Sequence, residues 1–143
     1  MMKITMRAGL VLATLLTAAT AHAHGDVTPQ AVDTTGLDPL GDENWRESNP
    51  YRGNELAIKI GKSAFAQNCA RCHGIDAISG GIAPDLRKLE KGALGDEWFQ
   101  ERVRNGAVRN GAVYMPKFAK PEGALSQEAL WAIRSWLDTV AID

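Results

Sequence analysis

Hydrophobic positions recur at helical spacing in three stretches of the chain, and nowhere do they alternate convincingly as in a strand. After Asn54, a residue suited to an N-cap, ELAIKIGKSAFAQN sets Ile58, Gly61 and Phe65 at intervals of three and four, which predicts a helix running into Cys69. Asp96 is placed to cap a second helix with Trp98, Phe99 and Val103 on one side, ending at Asn105-Gly106. Ser126 is placed to cap a third, in which Leu130, Ile133, Leu137 and Val140 form one stripe with Trp136 beside them. Between these stretches, residues 74–95 are rich in glycine and predict loop with one helical turn over 85–91, and another loop passes through Tyr114-Met115-Pro116. With no strand and no internal repeat, the expected fold class is all-α with long loops.

The two ends of the N-terminal third follow other patterns. Lys3 and Arg7 precede an apolar run from Ala8 to Leu16, and small residues end in Ala21-His22-Ala23, which predicts a secretory signal peptide over 1–23. Thr14, Thr17 and Thr20 break the run short of the roughly 20 apolar residues that a membrane-spanning helix needs, so no membrane anchor is expected. Residues 24–54 are polar and punctuated by proline and glycine, an extended arm whose Trp45 and Tyr51 are expected to dock on the domain formed by 55–143. Cleavage after Ala23 removes two of the 16 basic residues and none of the 17 acidic ones, which takes the net charge from −1 to −3 and argues against nucleic acid as a partner. Residues 55–143 alone, much of them loop, bury a limited apolar core. Something besides side chains is expected to fill the centre.

NCARCHGIDA, residues 68–77, holds both cysteines of the chain. In an oxidising compartment two cysteines ordinarily read as one disulfide, but a spacing of two residues followed directly by His73 reads differently. A thioredoxin-type site needs a preceding strand in a βαβ setting, whereas here a helix precedes and no sheet follows. A structural zinc site needs four ligands, and the mature chain adds only His24. Covalent heme attachment fits: Cys69 and Cys72 add as thioethers across the two vinyl groups of the porphyrin, and His73 is carried under the iron as the proximal ligand. One c-type heme (heme c) with its iron is the expected cofactor.

The second axial ligand follows by elimination. Met1, Met2 and Met6 leave with the signal peptide, so Met115 is the one methionine of the mature chain, set in a loop and followed by proline. A core methionine filling a gap is the competing reading, and His24 on the arm is the competing ligand. Histidine with thioether sulfur favours ferrous iron and raises the reduction potential, and two protein ligands leave no open position. The expected function is electron transfer, not catalysis.

These residues resemble class I cytochrome c over about 55–143: Gly61-x-x-x-Phe65-x-x-x-Cys69, CARCHG, Ile82-Ala83-Pro84-Asp85-Leu86, Tyr114-Met115-Pro116-Lys117-Phe118, and the segment Leu130 to Leu137. The resemblance implies three to five helices around the heme. It also implies that Gly61 and Phe65 of the first helix cross Ile133 and Trp136 of the last, and that the Pro84 carbonyl accepts a hydrogen bond from the proximal imidazole. A narrower resemblance takes in the arm as well. HGDVTPQAVDTTGL, NPYRGN, AISGGIAPDLRKL and DEWFQERVRNGAVRNGAVYMPKF are similar to PedF-type periplasmic cytochrome c, which implies a quinoprotein alcohol dehydrogenase, dependent on pyrroloquinoline quinone (PQQ), as electron donor. An oxidase or second cytochrome is then the acceptor, and the carrier is expected to be a monomer.

Other readings stay open. Arg71, Lys117 and Lys120 are candidates to steer an acidic partner, and Trp98 belongs either to the core or beside a heme propionate. The competing functions are a carrier for a different dehydrogenase, and a heme enzyme or gas sensor in which Met115 is displaced.

Overall fold

The computed structural model describes residues 27–81 and 83–143. The signal peptide expected over 1–23, His24, and Ile82 lie outside the described residues.

Helix α1 (Glu55–Asn68) starts where Asn54 Oδ1 accepts the Ala57 amide at 3.0 Å. It stops at Cys69, and a single further turn, α2 (Ala70–His73), carries the CxxCH segment. A 3₁₀ turn, Leu86–Lys88, is capped by Asp85 and is shorter than the turn expected over 85–91. Helix α4 (Gln127–Val140) has Ser126 as its cap, the hydroxyl accepting from the Ala129 amide.

Helix α3 (Ala93–Asn105) corrects one expectation. Its N-cap is Gly92, four residues before the predicted one, and Asp96 is not its cap but a fully buried residue inside the first turn. Its carboxylate accepts from Arg134 Nε of α4 at 2.8 Å, from the Asn49 amide at 2.9 Å and from Arg52 Nη2 at 2.5 Å. The demand of buried Arg134 for a counter-charge outweighs the local capping preference of an aspartate. Gly95 permits this approach, because a Cβ there would lie 1.7 Å from the Glu90 carbonyl oxygen.

The strand-free reading is corrected as well. Strands β1 (Ala107–Arg109) and β2 (Ala112–Met115) pair antiparallel, with Val108 opposite Val113 and Arg109 opposite Ala112. Asn110 and Gly111 form the two-residue turn at φ 50 and 78. Asn-Gly with positive φ at both positions is the favoured hairpin turn, so the doublet was a readable signal. The strands are too short for their alternation to stand out. The fold is therefore helical with one small hairpin.

Helices α1 and α4 cross at Gly61, where a Cβ would sit 1.9 Å from the Ala132 carbonyl oxygen. Phe65 and Trp136 meet beside the crossing, ring centroids 4.6 Å apart and tilted by 44°. Helix α4 is buried on all sides from Ala129 to Leu137, not along one stripe. Its second covering is the arm. Gln127 accepts from the Arg46 amide at 2.7 Å and donates to the Gly41 carbonyl at 2.5 Å, while Asn49 donates to Ser135 at 2.9 Å. Trp45 packs on the core with its ring 6.4 Å from that of Trp131, and Tyr51 and Leu37 are buried.

Candidate functional site

The remaining face of α4, together with α1, α2, α3 and the hairpin, encloses a cleft of about 320 Å³. Its walls are Phe65 from α1, Phe99 and Val103 from α3, and Leu130, Ile133 and Leu137 from α4. Cys69, Cys72, His73, Pro84 and Met115 all line it. Cys69 and Met115, 46 positions apart in the chain, thus share one apolar cavity.

Local hydrogen bonds explain the placement of the first three. The Cys69 amide closes α1 on the Phe65 carbonyl at 2.8 Å, and the Cys72 and His73 amides both donate to the Cys69 carbonyl. This turn keeps both sulfurs on the cleft side, and they are not joined in a disulfide. Burial, and then the neighbouring Cys72, push the Cys69 thiol up to about 12, which favours the neutral thiol over a thiolate before any attachment. Among the described residues, no three His, Cys, Asp or Glu side chains gather to hold a metal ion on their own.

His73 is buried, and its Nδ1 lies 2.9 Å from the Pro84 carbonyl oxygen. A carbonyl only accepts, so Nδ1 carries the proton and Nε2 keeps its lone pair. Burial holds the imidazole below its usual pKa, against the opposing effect of the Pro84 bond. Both features suit a neutral nitrogen ligand.

Met115 is delivered by the end of β2, not by the free loop expected between two helices. Ala107 pairs with it, and Gly106 packs so closely that a Cβ there would sit 2.4 Å from the Met115 carbonyl oxygen. Beyond Pro116, the Phe118 amide returns to the Val103 carbonyl at 2.9 Å. The thioether is therefore presented from a segment fixed on both sides.

Arg102, Arg109, Tyr114 and Trp98 border the same cleft and were not assigned to it from sequence, apart from the open question over Trp98. Trp98 is 40% exposed and covered by the Arg102 guanidinium at 5.4 Å, which places it at the rim, not in the core. Lys117 and Lys120 are engaged with Glu122 at 3.3 Å and Asp42 at 3.7 Å. Arg71 is exposed.

The donor set of two thiols, an imidazole and a thioether among apolar walls fits an iron porphyrin. Fold and cleft together define a c-type heme protein. Comparison with known proteins agrees. The family model described as cytochrome c oxidase, cbb3-type, subunit III matches residues 56–137. Cytochrome c550 of Pseudomonas aeruginosa is 65% identical over 142 residues, covering 96% of this chain and 95% of that protein. Two quinohemoprotein alcohol dehydrogenases of Pseudomonas putida match in part. ADH IIB is 40% identical over 80 residues, 54% of this chain and 11% of the enzyme, and ADH-IIG is 41% identical over 73 residues, 49% of this chain and 9% of the enzyme. No solved structure matches. The chain belongs to the cytochrome c family and is a homologue of cytochrome c550. It is an electron carrier and not an enzyme, and its cofactor is covalently bound heme c with iron. No helix among the described residues is long and apolar enough to cross a membrane.

Proposed function

We propose that this protein is a periplasmic carrier of class I cytochrome c type that takes electrons from a PQQ-dependent alcohol dehydrogenase and passes them to an oxidase or second cytochrome. Cys69 and Cys72 hold one heme through thioethers, His73 is the proximal ligand with its tautomer set by Pro84, and Met115 is the distal ligand. Residues 1–23 direct export, 24–54 are the arm and 55–143 the heme domain. When bound, the heme supplies a one-electron ferric/ferrous couple. Oxidation of an alcohol to its aldehyde releases two electrons and two protons, so two molecules of the carrier are reduced per alcohol.

The observation that carries this reading is the convergence of both thiols, His73 and Met115 on one apolar cleft. Apolar walls lower the local dielectric, and sulfur ligation favours the ferrous state, so both raise the potential. The donor assignment is supported by the partial match to quinohemoprotein alcohol dehydrogenases, in which a segment like this one occupies a small fraction of the enzyme.

Met115→Ala tests the ligand set. The ferric protein is expected to lose its near-infrared sulfur-to-iron band, to bind added imidazole or cyanide rapidly, and to show a lower reduction potential. A variant with the parent spectrum and potential shows that another group is the ligand.

A further inference from the structure

The segment 102–121 carries five cations, Arg102, Arg104, Arg109, Lys117 and Lys120, and no acid. The rest of residues 24–143 holds nine basic residues against all 17 acidic ones, a net charge of −8. Charge is thus segregated, and its positive pole is the segment that forms the hairpin and presents Met115 at the cleft.

Three of the five cations are engaged with Glu101, Glu122 and Asp42, while Arg104 and Arg109 have no ion-pair partner among the described residues. Beside them the hairpin leaves large apolar groups in solvent: Val108 is 64% exposed, Val113 68% and Tyr114 60%. Val108 and Val113 are paired across the two strands and pack against nothing that covers them. Val108, Arg109 and Tyr114 also line the cleft, so the hairpin is where the cofactor cavity meets solvent.

We infer that the hairpin 107–115, flanked by Arg104, is the docking surface for the electron donor. Its occupant is the quinoprotein dehydrogenase, through a surface that is apolar at the centre and acidic at the rim. This rests on the donor proposed above. Arg104 and Arg109 lie over the Trp45 and Tyr114 rings at 5.0 and 5.5 Å but have no carboxylate partner among the described residues, which favours an acidic rim, and the two exposed valines favour an apolar centre. A second copy of this chain fits poorly, because a symmetric hairpin-to-hairpin contact sets Arg109 against Arg109. An anionic lipid surface fits poorly as well, since the remainder of the molecule would be repelled by it. The segregation of charge turns the positive pole toward an acidic partner although the whole protein is net negative. Reactive orientation is thereby selected before contact.

The test uses the full heme-loaded protein with Val113→Asp, Arg104→Glu and the double variant, since neither residue lines the cleft. The rate constant for reduction by purified quinoprotein dehydrogenase and its alcohol is expected to fall about tenfold in the double variant. The loss in Arg104→Glu should shrink as salt rises, whereas that in Val113→Asp should persist. Reduction by ascorbate, which needs no protein contact, should be unaltered in all three. Equal rates with the dehydrogenase for parent and variants overturn the docking assignment while leaving the donor in place. A parent protein that the dehydrogenase fails to reduce removes the donor, and this surface assignment with it. Concentration-dependent dimerisation lost in Val113→Asp, or binding to phosphatidylglycerol vesicles lost in Arg104→Glu, assigns the hairpin to those occupants instead and overturns the proposal.

Discussion

The two long sides of helix α4 meet opposite surroundings. Leu130, Ile133 and Leu137 face the cleft, while Gln127, Trp131, Arg134 and Ser135 lie beneath the arm or against α3. The second side is satisfied by the chain itself. Gln127 alone accepts from the Arg46 amide and the Trp131 indole and donates to the Gly41 and Asn44 carbonyls, and no buried side-chain nitrogen or oxygen among the described residues lacks a partner. The cleft side offers apolar surface and ligand atoms, and only a bound heme completes it. Directional polar bonds thus specify how the arm lies, whereas the non-directional apolar wall accepts the cofactor. Stability under the arm and redox properties in the cleft are therefore separable by mutation.

The largest expected effect comes from Asp96→Ala. It leaves Arg134, fully buried and still bonded to Asp138 at 2.6 Å, short of its main counter-charge. Removing one partner of a buried pair costs about 3 to 5 kcal/mol. Chemical denaturation of the heme-loaded protein should show that loss, while the visible spectrum and potential should stay close to those of the parent. A large change of potential would show that the two sides of α4 are coupled.

Gly61→Val acts on the contact between α1 and α4 that both sides share. Overpacking of this kind costs about 1 to 3 kcal/mol, and with the clash directed at the Ala132 carbonyl, a rigid backbone atom, the upper end is expected. An unchanged unfolding midpoint would mean that the helices separate without penalty.

The smallest effect concerns Glu128, which accepts the Leu40 amide at 2.7 Å and the Gly41 amide at 3.0 Å. Burial pushes this carboxyl up, but the amide bonds and Ser126 outweigh it and hold it at about 2, against an ordinary 4.5. A lowered folded-state pKa stabilises above the ordinary value, and that contribution is lost as pH falls through about 2. Between these limits, the protection factors of the Leu40 and Gly41 amides, that is, their exchange corrected for the slower intrinsic rate in acid, should fall in the parent relative to neutral pH. Glu128→Gln, which has no charge to lose, should be weaker at neutral pH and show a flatter response.

Much of the helical frame and of the cleft was readable in advance, for reasons of range. Asn54 and Ser126 cap helices whose first turns lie within three residues of them, and CARCH sets two sulfurs and an imidazole within one turn. The hairpin escaped because its strands of three and four residues are too short to show alternation, although Asn110-Gly111 was there to be read. Asp96 was misassigned because capping is judged from neighbours in sequence, and its partner Arg134 is 38 residues away.

Sequence by itself determined the starts of α1 and α4, each set by a capping residue within three positions, and placed two cysteines and a histidine within five residues, while the close crossing at Gly61 was implied by the resemblance to class I cytochrome c. Only the tertiary structure decided that Met115 stands at the end of a strand, that Arg134 and Ser135 are buried, and that the arm is pinned to α4 by bonds spanning 81 to 88 residues. A carboxylate, an amide or an arginine can satisfy itself in water as well as in protein, so its type alone names no partner. Folding brings the candidates together and removes the water, and only then does one arrangement leave no buried polar group unpaired.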